Sequence, residues 1–146
     1  MFADDYERLV DSIIGFARAA IAEDGMLIPI AVTVTSDGEI VRLQRIQPID
    51  GSVDTPELVE EILRALRKLA IEKKVRAVAW CVDMRVVPPG ATSKSDALVL
   101  FCESLDQEPM VVVSPYRDAP GPGTTFADSY VQNVNPQVFG AAQTSS

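Results

Sequence analysis

Two segments of the chain place apolar residues at every third or fourth position, the spacing of an amphipathic helix. In the segment 4–23 these positions are Tyr6, Leu9, Val10, Ile13, Ala17, Ala20 and Ile21. In the segment that starts near residue 55 they are Leu58, Val59, Ile62, Leu66, Leu69 and Ala70. Acidic residues open this second segment and Lys73 and Lys74 close it, which matches the helix dipole. The pattern predicts two helices, each apolar on one side.

Five other segments alternate apolar residues with small or polar ones, as β-strands do. They cover approximately residues 28–35, 39–43, 75–87, 96–104 and 110–116. Asp37-Gly38 predicts a tight hairpin between the first two, and short loops separate the last three. Because short links favour antiparallel neighbours, we predict an α+β fold with the order α-β-β-α-β-β-β. In it, two helices cover one face of a five-stranded antiparallel sheet.

The composition changes after Arg117. The next residues, 118–123, read Asp-Ala-Pro-Gly-Pro-Gly and break any regular element. Further on, several residues are apolar enough to dock: Phe126, Tyr130, Val131, Val134, Val138 and Phe139. We predict one domain over 1–118, followed by a Pro/Gly-rich tail over 119–146 that docks in part and is disordered over 141–146.

The predicted sheet has one face that needs a cover. With both helices on one side, the other face would carry the small residues Ala31, Thr33, Ala77, Ala79 and Cys81. Such a face is too apolar to meet solvent. We expect the tail or a second copy of the chain to cover it, and we predict a homodimer.

Composition narrows the chemistry that the chain can perform. Its 146 residues include 13 Lys and Arg, 21 Asp and Glu and no histidine, for a net charge of −8. Without histidine, Ser-His-Asp and Cys-His nucleophiles and His-ligated metal sites are excluded. The negative charge opposes nucleic-acid phosphates and anionic lipid, so we expect neither a nucleic-acid nor a membrane partner.

The N-terminal sequence and the cysteines favour a cytoplasmic location. Residues 1–5 carry acids where a secretory signal would be basic, and no apolar run approaches the roughly 18 residues of a membrane span. Cys81 and Cys102 lie on different predicted strands without a CxxC motif. We interpret them as buried free thiols, and we predict no metal and no cofactor.

Charged side chains gather at one end of the predicted third strand. Alternation puts Asp83 and Arg85 on one face, and Asp96 enters the next strand across the turn. In a recognition site, Arg85 would grip an anionic group while a carboxylate orients it. Alternatively, these residues form a cross-strand ion pair that fixes the register. The candidate ligand-binding residues are Asp83, Arg85, Lys94, Asp96, Tyr116 and Arg117, and no catalytic residue is assigned.

Metal binding by the acids of these strands is disfavoured by the same alternation. It sends Glu103 to the face opposite Asp96, whereas a divalent cation needs oxygen ligands that converge on one point.

Several stretches of the chain resemble a family of small uncharacterised bacterial proteins, a domain of unknown function. They are Met84-Arg85-Val86-Val87-Pro88-Pro89-Gly90, Lys94-Ser95-Asp96-Ala97-Leu98, Ser114-Pro115-Tyr116-Arg117, Ile28-Pro29-Ile30-Ala31 and Pro136-Gln137-Val138-Phe139-Gly140. The resemblance implies an uncharacterised bacterial cytoplasmic protein and carries over no activity. By element order the chain also resembles roadblock, longin and profilin-type modules, which dimerise or bind partners.

We interpret the chain as a non-enzymatic interaction module that forms a homodimer and engages a protein or a small ligand. The contact would use the sheet face or the loop around residues 88–94 and the tail. Two alternatives stay open. One is a small enzyme with Asp83 or Asp96 as base and Arg85 or Tyr116 as substrate clamp. The other is an immunity or inhibitor protein whose acidic surface neutralises a basic toxin.

Overall fold

The computed structural model describes residues 3–43 and 55–139. Within them lie two helices, α1 (Ala3–Asp24) and α2 (Thr55–Ile71), and seven strands. The strands are β1 (Ile30–Thr35), β2 (Ile40–Arg42), β3 (Val75–Val86), β4 (Ser95–Ser104), β5 (Met110–Arg117), β6 (Thr125–Phe126) and β7 (Tyr130–Asn133). Neither of these helices is long and apolar enough to cross a membrane.

The described strands form one antiparallel sheet in the order β2-β1-β3-β4-β5-β6, and β7 pairs with β5. The α+β class and the antiparallel sheet are therefore confirmed. The predicted number of five strands is wrong, because the chain after Arg117 adds two more. β6 pairs with Tyr116 and Arg117, and β7 pairs with Met110–Val113. Both strands satisfy backbone groups that the outer edge of β5 would otherwise leave unpaired.

The two helices lie on opposite faces of the sheet, which corrects the prediction that both cover one face. α1 packs on the β3 side chains of Ala77, Ala79 and Cys81. α2 packs on Val78 and Trp80, which alternate with them. A strand that is apolar on both faces is typical of a sheet covered on both sides, and β3 is such a strand.

The prediction of a bare sheet face of small residues is also wrong, because a helix covers each face. Ala31 pairs with Trp80 and Thr33 with Val78, so these two residues face α2. Ala79 faces α1 instead. The small side chains thus belong to two different faces, and each face lies under a helix. The face that motivated a homodimer does not exist, and self-association stays a prediction without that support.

Buried carboxylates fix both ends of the described chain to the sheet. Near the start of α1, Asp5 accepts hydrogen bonds from Arg76 Nε at 2.9 Å and Nη2 at 3.1 Å. At the end of β4, the carboxylate of Glu103 accepts hydrogen bonds from the backbone N–H groups of the segment 137–139. These two charge-assisted contacts hold α1 and the tail in place.

The last described residues of the tail dock on the α2 side of the sheet. Val138 and Phe139 are buried there in the same cluster as Trp80. Glu103, which anchors them, faces this side, whereas Asp96 pairs with Arg85 on the other face. The predicted disordered end, residues 141–146, lies outside the described residues.

Candidate ligand-binding groove

An open groove of about 1270 Å³ lies at the end of the sheet where the β3–β4 loop faces β6 and the start of β7. We call it the loop groove. Pro88, Pro89 and Lys94 line it from the loop, and Phe126 and Tyr130 line it from the tail. The sheet contributes four further candidate residues, which are Arg85, Asp96, Tyr116 and Arg117.

The strand register explains why these residues meet. Arg85 pairs with Asp96, Asp96 with Tyr116, and Tyr116 with Phe126. Directly opposed residues keep their side chains on one face about 5 Å apart. One row across four strands therefore carries Arg85, Asp96 and Tyr116 to the groove. Lys94 stands two residues before Asp96 in the sequence, and Arg117 directly follows Tyr116. Of the six residues predicted from the sequence, five line the groove and Asp83 does not.

Arg85 and Asp96 form a loose ion pair at the surface. The distance from Arg85 Nε to Asp96 Oδ1 is 3.6 Å, and the side chains are 68% and 52% exposed. A pair this exposed adds little to stability because solvent screens it. Its geometry fits both predicted roles, as a register contact and as an orienting contact. The Nη groups of Arg85 have no hydrogen-bond partner in the part of the chain that the structure describes.

Asp83 lies on the same face, one row further into the sheet. The Tyr116 hydroxyl donates a hydrogen bond to Asp83 Oδ1 at 2.6 Å. Burial raises the pKa of Asp83, and the Tyr116 bond opposes this rise. Burial, with Asp83 beside it, raises the pKa of Tyr116 as well, so its hydroxyl stays protonated. Asp83 is thus a positioning residue that fixes Tyr116 in the groove wall.

The lining of the groove is mixed in chemistry and balanced in charge. Its cations are Arg85, Lys94 and Arg117, and its acids are Asp96, Asp118 and Asp128. The whole chain, by contrast, carries 13 basic and 21 acidic residues. The groove is therefore the less acidic part of an acidic protein. Proline and aromatic rings form much of the remaining wall.

Arg18 of α1 is a neighbour of the groove that the sequence did not reveal. Its guanidinium Cζ lies 5.3 Å from the centroid of the Phe126 ring, and that ring lies 6.0 Å from the Tyr116 ring. Its position in the helical spacing could have indicated that Arg18 is partly buried. Arg18 stands four residues after Ile14 and three before Ile21, so it borders the apolar stripe of the helix. The sequence analysis predicted that Phe126 and Tyr130 dock and that the tail takes part in the contact, but it did not place these two rings in this groove.

Two other features bear on ligand binding. In the described ranges, no three Cys, Asp or Glu side chains come together in a way that could hold a metal ion. A second groove of about 790 Å³ runs between α2 and the tail, with Leu63, Trp80, Phe101 and Val134 among its lining residues. It is more apolar than the loop groove and holds none of the predicted site residues except Asp83.

Comparisons of the chain with known protein families, curated proteins and solved structures find no match. The resemblance to a bacterial domain of unknown function stays a prediction.

Proposed function

We propose that this chain is a non-enzymatic binding module that takes an oxyanion-bearing ligand in the loop groove. The observation that carries the proposal is the convergence of Arg85, Lys94 and Arg117 on one groove with Tyr116 in its wall. Guanidinium groups form strong charge-assisted hydrogen bonds with carboxylates and phosphates. Asp96 orients the Arg85 guanidinium from one side and leaves its Nη groups for the ligand.

The groove walls favour a ligand with a flat apolar part. Binding sites commonly combine apolar and aromatic walls with a few polar groups that set orientation. Here Pro88, Pro89 and Pro115 lie with Phe126 and Tyr130 around the charged residues. An aromatic carboxylate or phosphate, free or carried by a protein partner, has this combination of properties.

The alternative of a carboxylate enzyme gains no support from the geometry. Of the two candidate bases, Asp83 does not line the groove and accepts a hydrogen bond from Tyr116. Asp96 does line it, but its carboxylate is exposed and lies beside the Arg85 guanidinium. A general base must instead reach a proton of the substrate. The alternative of an inhibitor protein rests on net charge alone.

The bacterial cytoplasmic setting and the homodimer are part of the proposal. Sedimentation equilibrium of the full chain tests the homodimer directly, because the mass is either one chain or two.

A titration of isotope-labelled protein followed by amide NMR tests the groove. The probes are benzoate and phenyl phosphate, and the matched uncharged control is benzamide. We expect the charged probes to shift the signals of Lys94, Tyr116 and Arg117, and we expect Arg85→Gln to weaken this binding by about tenfold. Arg64→Gln, an exposed change on α2 away from the groove, is the control variant and should have no effect.

Two outcomes would overturn the proposal. One is that neither charged probe shifts groove signals. The other is that benzamide shifts them as strongly as benzoate does.

A further inference from the structure

Arg18 is a partly buried cation that has no carboxylate partner in the ranges that the structure describes. Its Nη2 lies 3.4 Å from Ser114 Oγ and 3.5 Å from Ser129 Oγ. Its Nε is buried, with no hydrogen-bond partner among the described residues. The face of the guanidinium stacks on the Phe126 ring.

This arrangement leaves most of the hydrogen-bonding capacity of Arg18 unused. A guanidinium carries five N–H donors, and good N–H···O bonds measure about 2.7–3.2 Å. The two contacts with serine hydroxyls are longer than that. Buried or partly buried charges are normally paired, because removing a charge from water is costly. Arg18 therefore keeps N–H donors that an oxyanion can accept from.

The Arg18 cluster is connected to the loop groove through shared residues. Phe126 and Ser129 contact Arg18 and also line the groove. Ser114, on the adjacent strand, is 1% exposed and brings a buried hydroxyl to the same point. The guanidinium and the two hydroxyls can all donate hydrogen bonds, and no acid stands among them.

The register separates this cluster from Arg85. Arg85 and Phe126 lie on strands β3 and β6, with β4 and β5 between them. With neighbouring strands about 4.8 Å apart, the two positions are roughly 14 Å apart. The cluster thus adjoins the groove at the opposite end of the row from Arg85, where Phe126 and Ser129 are its residues in the groove lining.

We infer that Arg18, Ser114 and Ser129 form an oxyanion subsite, the inner subsite, which adjoins the loop groove at its β6 end and binds a carboxylate or a phosphate group. The guanidinium offers two parallel N–H donors to the oxyanion, and Ser129 adds a hydroxyl donor from the groove side. The inference rests on the proposed function for its location. It adds a second acidic group to the ligand, so the ligand class becomes an elongated molecule with acidic groups at both ends.

The test uses acetate and inorganic phosphate as separate probes, with chloride at matched ionic strength as the reference. The buried Nε–H of Arg18 and the amides of Ser114 and Ser129 are followed by NMR. We expect one probe or both to shift these signals beyond the chloride reference. The probe that binds more tightly tells whether the natural group is a carboxylate or a phosphate.

Three variants separate the subsite from general charge effects. Arg18→Gln should weaken oxyanion binding at least about tenfold, and Arg18→Lys should retain part of it, because the charge stays and the planar fork is lost. Ser129→Ala alters only an exposed hydroxyl, so it tests the subsite even if Arg18→Gln destabilises the fold. Arg64→Gln again serves as the control.

Equal affinity of Arg18→Gln and Ser129→Ala with the unmodified protein overturns the inference, as do shifts no larger than those of chloride. If benzoate binding still depends on Arg85 in that case, the proposed function stands and only the inner subsite is wrong. If neither Arg85→Gln nor Arg18→Gln changes any binding, both ideas fail together.

Discussion

The carboxylate of Glu103 should be the main anchor of the tail, and Glu103→Gln removes its charge with little change of shape. Oε1 accepts hydrogen bonds from the N–H groups of Val138 at 2.8 Å and Phe139 at 3.1 Å, and Oε2 accepts one from Gln137. The glutamine amide keeps one oxygen and turns an NH₂ group toward a backbone donor. At least one bond is then lost, and the others lose their charge assistance.

The expected cost follows from the burial of this group. Glu103 is 2% exposed, so water cannot replace the lost bonds. Hydrogen bonds to a charged partner contribute about 1.5–3 kcal/mol each, and an unsatisfied buried donor costs about 1–3 kcal/mol. We expect Glu103→Gln to lower the free energy of unfolding by about 2–4 kcal/mol. A loss of this size is a large fraction of the stability of an ordinary domain, which is about 5–15 kcal/mol.

Trp80 reports on this region directly. It is the sole tryptophan of the chain, it stacks on Phe101 with ring centroids 5.1 Å apart, and it shares a cluster with Phe139. Urea unfolding followed by its fluorescence gives the midpoint of each variant. Glu108→Gln removes the same charge at an exposed side chain and is the matched control. If the midpoint of Glu103→Gln coincides with that of Glu108→Gln, the carboxylate does not hold the tail and the reasoning is refuted.

Two further predictions concern titration and thiol access. Burial raises the pKa of Asp83 above its ordinary 3.8, so the Asp83 carboxylate binds a proton more tightly in the folded protein than in the unfolded chain. The contribution of Asp83 to stability therefore falls as the pH rises from 3.8 through the raised pKa. Asp83→Asn should remove that fall from a pH series of urea midpoints, and an unchanged series would contradict it. Burial also raises the thiol pKa of Cys81 and Cys102 to about 12. We expect iodoacetamide to label neither thiol in native protein and both in urea, as counted by mass spectrometry, and native labelling at the unfolded rate would contradict this.

The sequence predicts those parts of the fold that depend on local spacing. The apolar stripes of both helices and the hairpin at Asp37-Gly38 follow from periodicity and turn chemistry, and the structure contains them. Alternation puts Asp83 and Arg85 on one face, and the turn that follows β3 brings Asp96 opposite Arg85. Alternation also separates Glu103 from Asp96, as predicted.

Long-range packing accounts for what the sequence could not predict. Alternation along β3 tells which residues share a face, but both of its faces are apolar, so the pattern cannot assign a helix to either one. β6 has two residues in a Pro- and Gly-rich stretch, and it forms because β5 offers it an open edge. The sequence analysis also did not predict the hydrogen bond from Tyr116 to Asp83. Such a contact depends on where two side chains end, which spacing does not reveal.

The division of the β5 edge between β6 and β7 has a consequence for assembly. An unpaired edge strand can recruit a strand from another molecule, which leads to swapping or aggregation. Here an incoming strand would first have to displace β7 from Met110–Val113. Because β7 is tethered to the same chain, it competes at an effective concentration on the order of millimolar. A strand from another molecule would therefore pair with this edge of β5 only if it binds the edge more tightly than the tethered β7 does.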